Sequence, residues 1–187
     1  MDVLEAIKTR RSVRRYTDEK IPQETLDLLI DYGCRSASAS NTQPWGFVII
    51  EGKETIHALS EQVRADLINM KQREPWISIY SRWLENPDFN FFFKQTQTLL
   101  LIYGHSRVKF YRESCTLAAS NIMLAAHAMG IGSCWIGFAF ETLNTPEFKA
   151  SYNVPEHYDL VATLTLGYKS DERLSEMERK PALIFNR

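Results

Sequence analysis

Paired cysteines are missing from this sequence. Only Cys34, Cys115 and Cys134 occur, an odd number with no C-x-x-C pair, which argues against a disulfide framework and against a zinc or iron–sulfur cluster. All three read as reduced thiols. Clustered histidine is missing too: His57, His105, His127 and His157 are scattered, and no two share the close spacing of a metal pair on one helix. No segment approaches the ~20 apolar residues that a transmembrane helix needs. The opening stretch carries Asp2 and Glu5 and lacks the apolar run of a signal peptide, so the expected location is the cytoplasm. Neither sign of charge is in excess. With 22 Lys and Arg against 23 Asp and Glu over 187 residues, no overall field drives binding to nucleic acid or anionic lipid, and any basic site must be local.

The usual short signatures of chemistry are absent as well. Gly130-Ile131-Gly132-Ser133-Cys134-Trp135 imitates a dinucleotide fingerprint, but it follows a helical stretch rather than a strand and puts Trp135 where the third glycine belongs. There is no P-loop and no G-x-S-x-G elbow, and Ser133 has no evident histidine partner. No pair of carboxylates stands out for acid and base roles.

What is present is an ordinary globular pattern, 44% hydrophobic, enough for one compact domain with a real core. Asp2 and Glu5 form a capping-box pattern before a short helix whose apolar face is Val3, Leu4 and Ile7. Pro22 at a first helical turn, Leu26, Leu29 and Ile30 at helical spacing, and a stop at Gly33 predict a second helix. A polar loop covers 35–44. The run 45–50 reads as a mostly buried strand, Ile56, Leu59, Val63 and Leu67 mark a third helix, and 98–103 is a second buried strand ended by Gly104. Residues 115–129 are small and apolar almost all round, which implies burial on every side and hence a subunit interface. Two further extended segments at 131–140 and 159–168 flank a short helix near 145–150. The tail from Lys169 ends in an apolar segment, 181–185, too long to leave wet. No linker divides the chain, so residues 1–187 form a single α+β domain of helices enclosing a modest sheet.

Three features carry chemistry. Arg10, Arg11, Ser12 and Arg14 place forked donors and a hydroxyl on one turn, suited to a phosphate or to an anionic ring, while Arg15 reads as a surface charge. Ser38 and Asn41 sit in the polar loop, where Asn can both donate to and accept from a heterocycle edge, or either residue can simply close a turn. The stretch 76–93 is crowded with aromatics and has little periodicity, which predicts a lid or insertion over about 70–95 rather than a regular element. By themselves Trp76, Tyr80, Phe89 and Phe91 read as a satellite hydrophobic cluster.

Taken in order, R-R-S-V-R at 10–14, S-A-S-N-T-Q-P-W at 38–45, G-I-G-S-C-W-I-G at 130–137, L-G-Y at 166–168 and R-K-P at 179–181 resemble the nitroreductase family of FMN-dependent oxidoreductases. The resemblance spans the chain and is specific as a set. It implies a central, mainly antiparallel sheet flanked by helices, and an intertwined homodimer with a C-terminal arm at about 169–187 and an FMN at each of two interface sites. It maps Arg10, Arg11, Ser12 and Arg14 to the flavin phosphate, ribityl chain and pyrimidine edge, with Arg14 either the ring cation or a second phosphate ligand. Arg179 and Lys180 map to the phosphate. Ala37, Ser38, Ala39 and Asn41 map to a loop supplied by the partner subunit. Trp135, Ile136, Gly137 and Phe138 map to the lining beside the flavin N5. It is this resemblance, carried by the motifs at 10–14, 38–45 and 130–137, that makes Trp76, Tyr80, Phe89 and Phe91 candidate pocket residues. The chain departs from the family pattern at Gly137-Phe138, where many relatives carry Glu-Gly or Gly-Gly.

The reaction so implied is a ping-pong transfer: hydride from NADH or NADPH to the flavin, then electrons to a nitroaromatic, quinone or similar electron-poor acceptor, with no catalytic residue assigned on the protein. Reductive dehalogenation, ring oxidation or flavin fragmentation on the same fold is the enzymatic alternative. A protein that only sequesters FMN is the non-catalytic one. Nucleic acid, membrane and metal are not expected partners.

Overall fold

The computed structural model describes residues 1–71, 73–170 and 178–185. Along them run α1 (Val3–Thr9), α2 (Gln23–Cys34), β1 (Trp45–Glu51), α3 (Lys53–Met70), α4 (Ser81–Leu84), β2 (Thr98–His105), α5 (Tyr111–Ala128), β3 (Ile131–Trp135), α6 (Phe140–Leu143), α7 (Pro146–Ser151) and β4 (Tyr158–Tyr168). Short 3₁₀ turns occupy Ala39–Asn41 and Pro75–Tyr80. The α+β expectation holds: the strands form one antiparallel sheet in the order β1-β2-β4-β3. Among the described residues no helix is long and apolar enough to cross a membrane.

Local chemistry explains the boundaries. Asp2 Oδ1 accepts from the backbone N–H of Leu4 and Glu5, at 2.8 and 3.0 Å, and so starts α1. Thr145 caps α7 in the same way, with Pro146 in its first turn. Gly130, at φ +79°, ends the α5 region in the left-handed conformation.

Because β2 and β4 are the central strands, their side chains are buried on both faces, and the long apolar run of β2 follows from that position. Leu99, Leu101 and Tyr103 face a core built with α3, α6 and residues 77–92. Leu100 and Ile102 face a second core built with α2 and α5. Each fully buried Leu or Ile of this kind contributes about 1.5–3 kcal/mol.

Two sequence readings are corrected, and three apolar surfaces lie open in the single chain. The apolar face of α1 is not buried in the single chain: Val3, Leu4 and Ile7 are exposed and only Ala6 is covered, α1 packing chiefly against α5. Helix α5 buries one stripe (Ser114, Cys115, Ala118, Ala119, Ile122 and Ala126) and leaves Leu117 on the open side. Its small residues allow α2 close; a Cβ on Gly33 would lie 2.7 Å from Ile122 Cδ1. The extended segment expected over 131–140 stops at Trp135, where the chain turns through Gly137 into α6. The aromatic stretch also holds more regular structure than its pattern implied, a 3₁₀ turn running into α4, and the apolar residues Leu183, Ile184 and Phe185 of the tail are exposed in the single chain.

Candidate functional site

The basic segment finds its place by backbone pairing. After α1 it runs beside β3, where Ser12 forms a parallel bridge with Ser133 and Val13 N donates to Ser133 O at 2.9 Å. It then crosses to the end of β4, with Thr17 N donating to Tyr168 O at 2.8 Å. Val13 and Tyr16 are its buried anchors, and the Tyr16 hydroxyl donates to Val13 O at 2.7 Å while sharing a hydrogen bond with Thr165 Oγ1.

Extended backbone sends neighbouring side chains to opposite sides, which sorts the arginines. Arg10, Ser12 and Arg14 act together on the buried Cys134. Burial pushes that thiol up, and Arg14, the Ser12 hydroxyl and Arg10 oppose the shift in that order. On the other side, Arg11 donates to the carbonyls of Lys8 and Arg10 and so covers the C-terminal end of α1. With Val13, His127 and Lys169 it lines a separate cavity of about 190 Å³. His127 bonds to Thr9 Oγ1 at 2.8 Å, and its imidazole is held below the ordinary value, first by burial and then by Lys169, Arg10 and Arg11.

Two buried polar atoms on this wall have no hydrogen-bond partner among the described residues: Arg10 Nη1 and Ser133 Oγ. A buried guanidinium N–H left unpaired is costly, so its acceptor is to be sought beyond the described residues. A phosphate presents the forked acceptor that guanidinium geometry suits.

The loop with Ala37, Ser38, Ala39 and Asn41 is not at this wall. It leads into β1, the opposite edge of the sheet from β3, and three strand spacings of about 4.8 Å separate the two edges. The loop is shaped by its own contacts: Ala39 N donates to Ser114 Oγ at 3.3 Å, Gln43 N to Ser38 Oγ at 3.1 Å, and Gln43 Nε2 to Asn41 Oδ1 at 3.1 Å. Ser40, Asn41 and Gln43 all hold positive φ, and Asn41 stays exposed. One chain therefore does not bring the loop and the basic segment together.

Beyond the end of β3, Trp135 is partly exposed, Ile136 is buried and donates its N–H to Thr163 O at 2.9 Å, and Gly137 has open space where a side chain would be. Phe138 then meets the aromatic segment. Its ring stands edge-on to Tyr80 at 4.8 Å, Phe91 at 5.7 Å and Trp83 at 5.9 Å between centroids. Trp83 stacks on Phe89 at 5.4 Å with the rings 6° from parallel, and Trp76 edges onto Tyr80 at 6.1 Å. The predicted pocket residues Trp76, Tyr80, Phe89 and Phe91 are thus one packed cluster, built around Phe138. The sequence reading did not single out Trp83 or Arg64 within it; ring content marked Trp83, but no local signal marked Arg64, which belongs to α3. Arg179 and Lys180 are exposed. Among the described residues no group of His, Cys, Asp or Glu could hold a metal.

Fold and site together define a helix-flanked antiparallel α+β protein whose sheet edge carries Arg10, Ser12 and Arg14, with an aromatic cluster around Phe138. The model of the Nitroreductase family matches residues 7–168, and the chain belongs to that family. A relative from Methanothermobacter thermautotrophicus, provisionally named an NADH dehydrogenase/NAD(P)H nitroreductase, is 29% identical over 171 residues, covering 91% of this chain and 79% of the relative. The iodotyrosine deiodinase of Thermotoga neapolitana is 28% identical over 172 residues, 89% of this chain and 88% of that one. The crystal structure of a Bacteroides fragilis nitroreductase with bound FMN superposes with a TM-score of 0.82 at 26% identity, covering 97% of this chain and 96% of that chain.

Proposed function

We propose that this protein is an FMN-dependent NAD(P)H oxidoreductase that works as a homodimer with two sites shared between subunits. The observation that carries the reading is the unpartnered, buried Arg10 Nη1 on a wall with Ser12 and Arg14, within a family whose solved member from B. fragilis holds FMN. The donor set fits the cofactor: a forked cation for the phosphate, a hydroxyl for the ribityl chain and a second cation for the ring.

Arg10 holds the phosphate, with Arg179 and Lys180 adding charge from the tail and Arg11 lending its field from behind the wall. Ser12 donates to the ribityl chain. Arg14 stands as the cation at the pyrimidine edge, where it favours negative charge as electrons arrive. Trp135, Ile136, Gly137 and Phe138 line the ring, and the bare Gly137 lets backbone approach closely. The opposite-edge position of the 37–41 loop supports its delivery by the partner, where Ala37, Ser38, Ala39 and Asn41 complete the site. The cluster of Trp76, Tyr80, Phe89 and Phe91 walls the acceptor side and keeps water from it. Bound there, FMN supplies two-electron chemistry, taking hydride from NADH or NADPH and passing electrons to a nitroaromatic, quinone or similar acceptor.

The purified protein should be yellow, bleach anaerobically with NADH or NADPH, and recolour when an acceptor is added. A colourless preparation that takes up no added FMN overturns the reading. The deiodinase relative supports a second one, reductive dehalogenation on the same site. It is favoured if the flavin is reduced but no nitro or quinone compound is turned over while a halogenated phenol loses halide.

A further inference from the structure

Arg64 is an unusual residue to find where it is. It lies on α3, outside the wall just described, and is 9% exposed. Its guanidinium gives Nη1 and Nη2 to backbone carbonyls of the aromatic segment, while the buried Nε has no hydrogen-bond partner among the described residues. Nη1 donates to Trp83 O at 3.1 Å and Leu84 O at 2.9 Å, and Nη2 donates to Phe89 O. Nε lies 3.4 Å from a carboxylate oxygen of Glu61, and the guanidinium carbon sits 5.4 Å from the Phe91 ring centroid.

Those carbonyls are not an arbitrary set. Trp83 and Leu84 are the last residues of α4, whose final carbonyls lack helical partners and carry the negative end of the dipole, so a buried cation satisfies both. Phe89 lies across the following turn. The same guanidinium therefore ties down the backbones of Trp83 and Phe89, the two residues whose rings stack at 5.4 Å, and lies over the Phe91 ring. All three rings belong to the cluster around Phe138. A planar five-donor fork reaches three carbonyls at once, which a lysine ammonium on a flexible stem does not do with the same geometry.

Arg64 is the end of a polar stripe on α3. His57, Ser60 and Arg64, at i, i+3 and i+7, share one helix face. Ser60 Oγ accepts from Phe91 N at 2.9 Å, and His57 Nδ1 is 3.3 Å from Asn90 Nδ2. The buried side of α3 thus grips residues 83–91 through polar contacts to their backbone and to Asn90, leaving the rings free to set the shape of the pocket.

We propose that Arg64 is a positioning residue for acceptor specificity: it holds the Trp83–Phe89 stack against Phe138 and so fixes the width of the acceptor pocket from behind. This rests on the flavin reading above, in which that cluster walls the acceptor side. Arg64 touches neither cofactor nor acceptor.

The test uses the FMN-loaded wild-type protein and the variants Arg64→Met and Arg64→Lys. Four quantities are read: FMN affinity, the limiting anaerobic rate of flavin bleaching at saturating NADH or NADPH, KM and kcat for p-benzoquinone and for the larger menadione, and the near-ultraviolet circular dichroism of the stacked rings. Arg64→Met should keep FMN affinity and the limiting bleaching rate within about twofold. It should change the ratio of menadione to benzoquinone KM roughly tenfold, with kcat little altered, and weaken the near-ultraviolet bands. Arg64→Lys should show the same change at smaller amplitude, and it serves alone if Arg64→Met does not fold. A KM ratio equal to wild type in a folded variant overturns the proposal, as does equal loss for both acceptors. A wild-type protein that takes up no FMN overturns the flavin reading and this one together, whereas a yellow, active wild type with unchanged variants overturns this one alone.

Discussion

Gly132 and Gly167 face each other across the β3–β4 ladder, and the missing side chains make a slot that seats the basic segment. A Cβ on Gly132 would lie 2.7 Å from Val13 Cβ, and one on Gly167 would lie 2.8 Å from Tyr16 Cδ1. Gly132 of G-I-G-S-C-W and Gly167 of L-G-Y are therefore packing residues. They let Val13 and Tyr16 lie flat on the sheet, which puts Arg10, Ser12 and Arg14 beside Cys134.

Filling the slot should lift the arginine wall. Gly132→Ala is expected to cost about 1–3 kcal/mol of stability through overpacking and to weaken FMN binding. Adding Val13→Ala should recover part of both losses. Urea unfolding and flavin titration of the two single variants and the double variant check this; strictly additive losses would contradict the slot.

Removing the phosphate cation should loosen the cofactor. Each charge-assisted contact is worth about 1.5–3 kcal/mol, or roughly 10–150-fold in affinity. Arg10→Ala and Arg14→Ala should each raise the FMN dissociation constant within that range. Arg10→Ala should reduce FMN affinity and riboflavin affinity unequally, because riboflavin has no phosphate. Arg14→Ala should reduce both alike if it serves the ring.

Shared sites should complement. Arg10→Ala and Asn41→Ala fall on opposite sheet edges of one chain, so a mixed dimer of the two variants has one site with both defects and one with neither. Mixing the two weak proteins under subunit exchange should restore turnover above either parent. No recovery in demonstrated heterodimers would mean that each site is built within one chain.

Acid should destabilise the FMN-free protein through His127. Its imidazole is held below the ordinary value of 6.5 by burial and by Lys169, Arg10 and Arg11, so the unfolded chain takes up its proton first as pH falls. Stability contributed by the neutral ring is fully present above pH 6.5 and declines below it until the folded protein also protonates. His127→Gln should flatten that part of the profile of melting temperature against pH. An unchanged slope between pH 7 and 5.5 would remove His127 as its source.

The three thiols should react in two classes. Cys34 is half-buried, whereas Cys115 and Cys134 are 0% and 3% exposed. Burial pushes the Cys115 thiol up to about 12 and raises Cys134 as well. A disulfide reagent at pH 8 should label Cys34 first and reach the other two only on unfolding.

Strong local pattern made much of this architecture legible. The apolar runs of β1 and β2, the helical spacing from Ile56 to Leu67 and the Asp2 cap all took the conformations their residues favour. Order along the chain also carried the family. Side-chain chemistry marked Arg10, Arg11, Ser12 and Arg14 together as candidate anion ligands, and the order of the motifs, not the turn by itself, gave them their expected roles. The apolar face of α1 and the open side of α5 show where the chain runs out of information: periodicity reports that a face is apolar, not what covers it.

The division among the arginines was decided only by tertiary structure. RRSVRR is a row of equivalent charges until Val13 and Tyr16 settle on the paired glycines, after which Arg14 bears on Cys134, Arg11 covers the end of α1 near His127, and Arg10 between them bears on both. Arg64 had no local signal at all. Its partners lie 19 to 25 residues away, and an arginine at helical spacing looks like any solvated charge until the fold buries it against their carbonyls. Chemistry carried by residue type can be read from the chain, whereas chemistry that depends on which groups lose water together belongs to the packed structure.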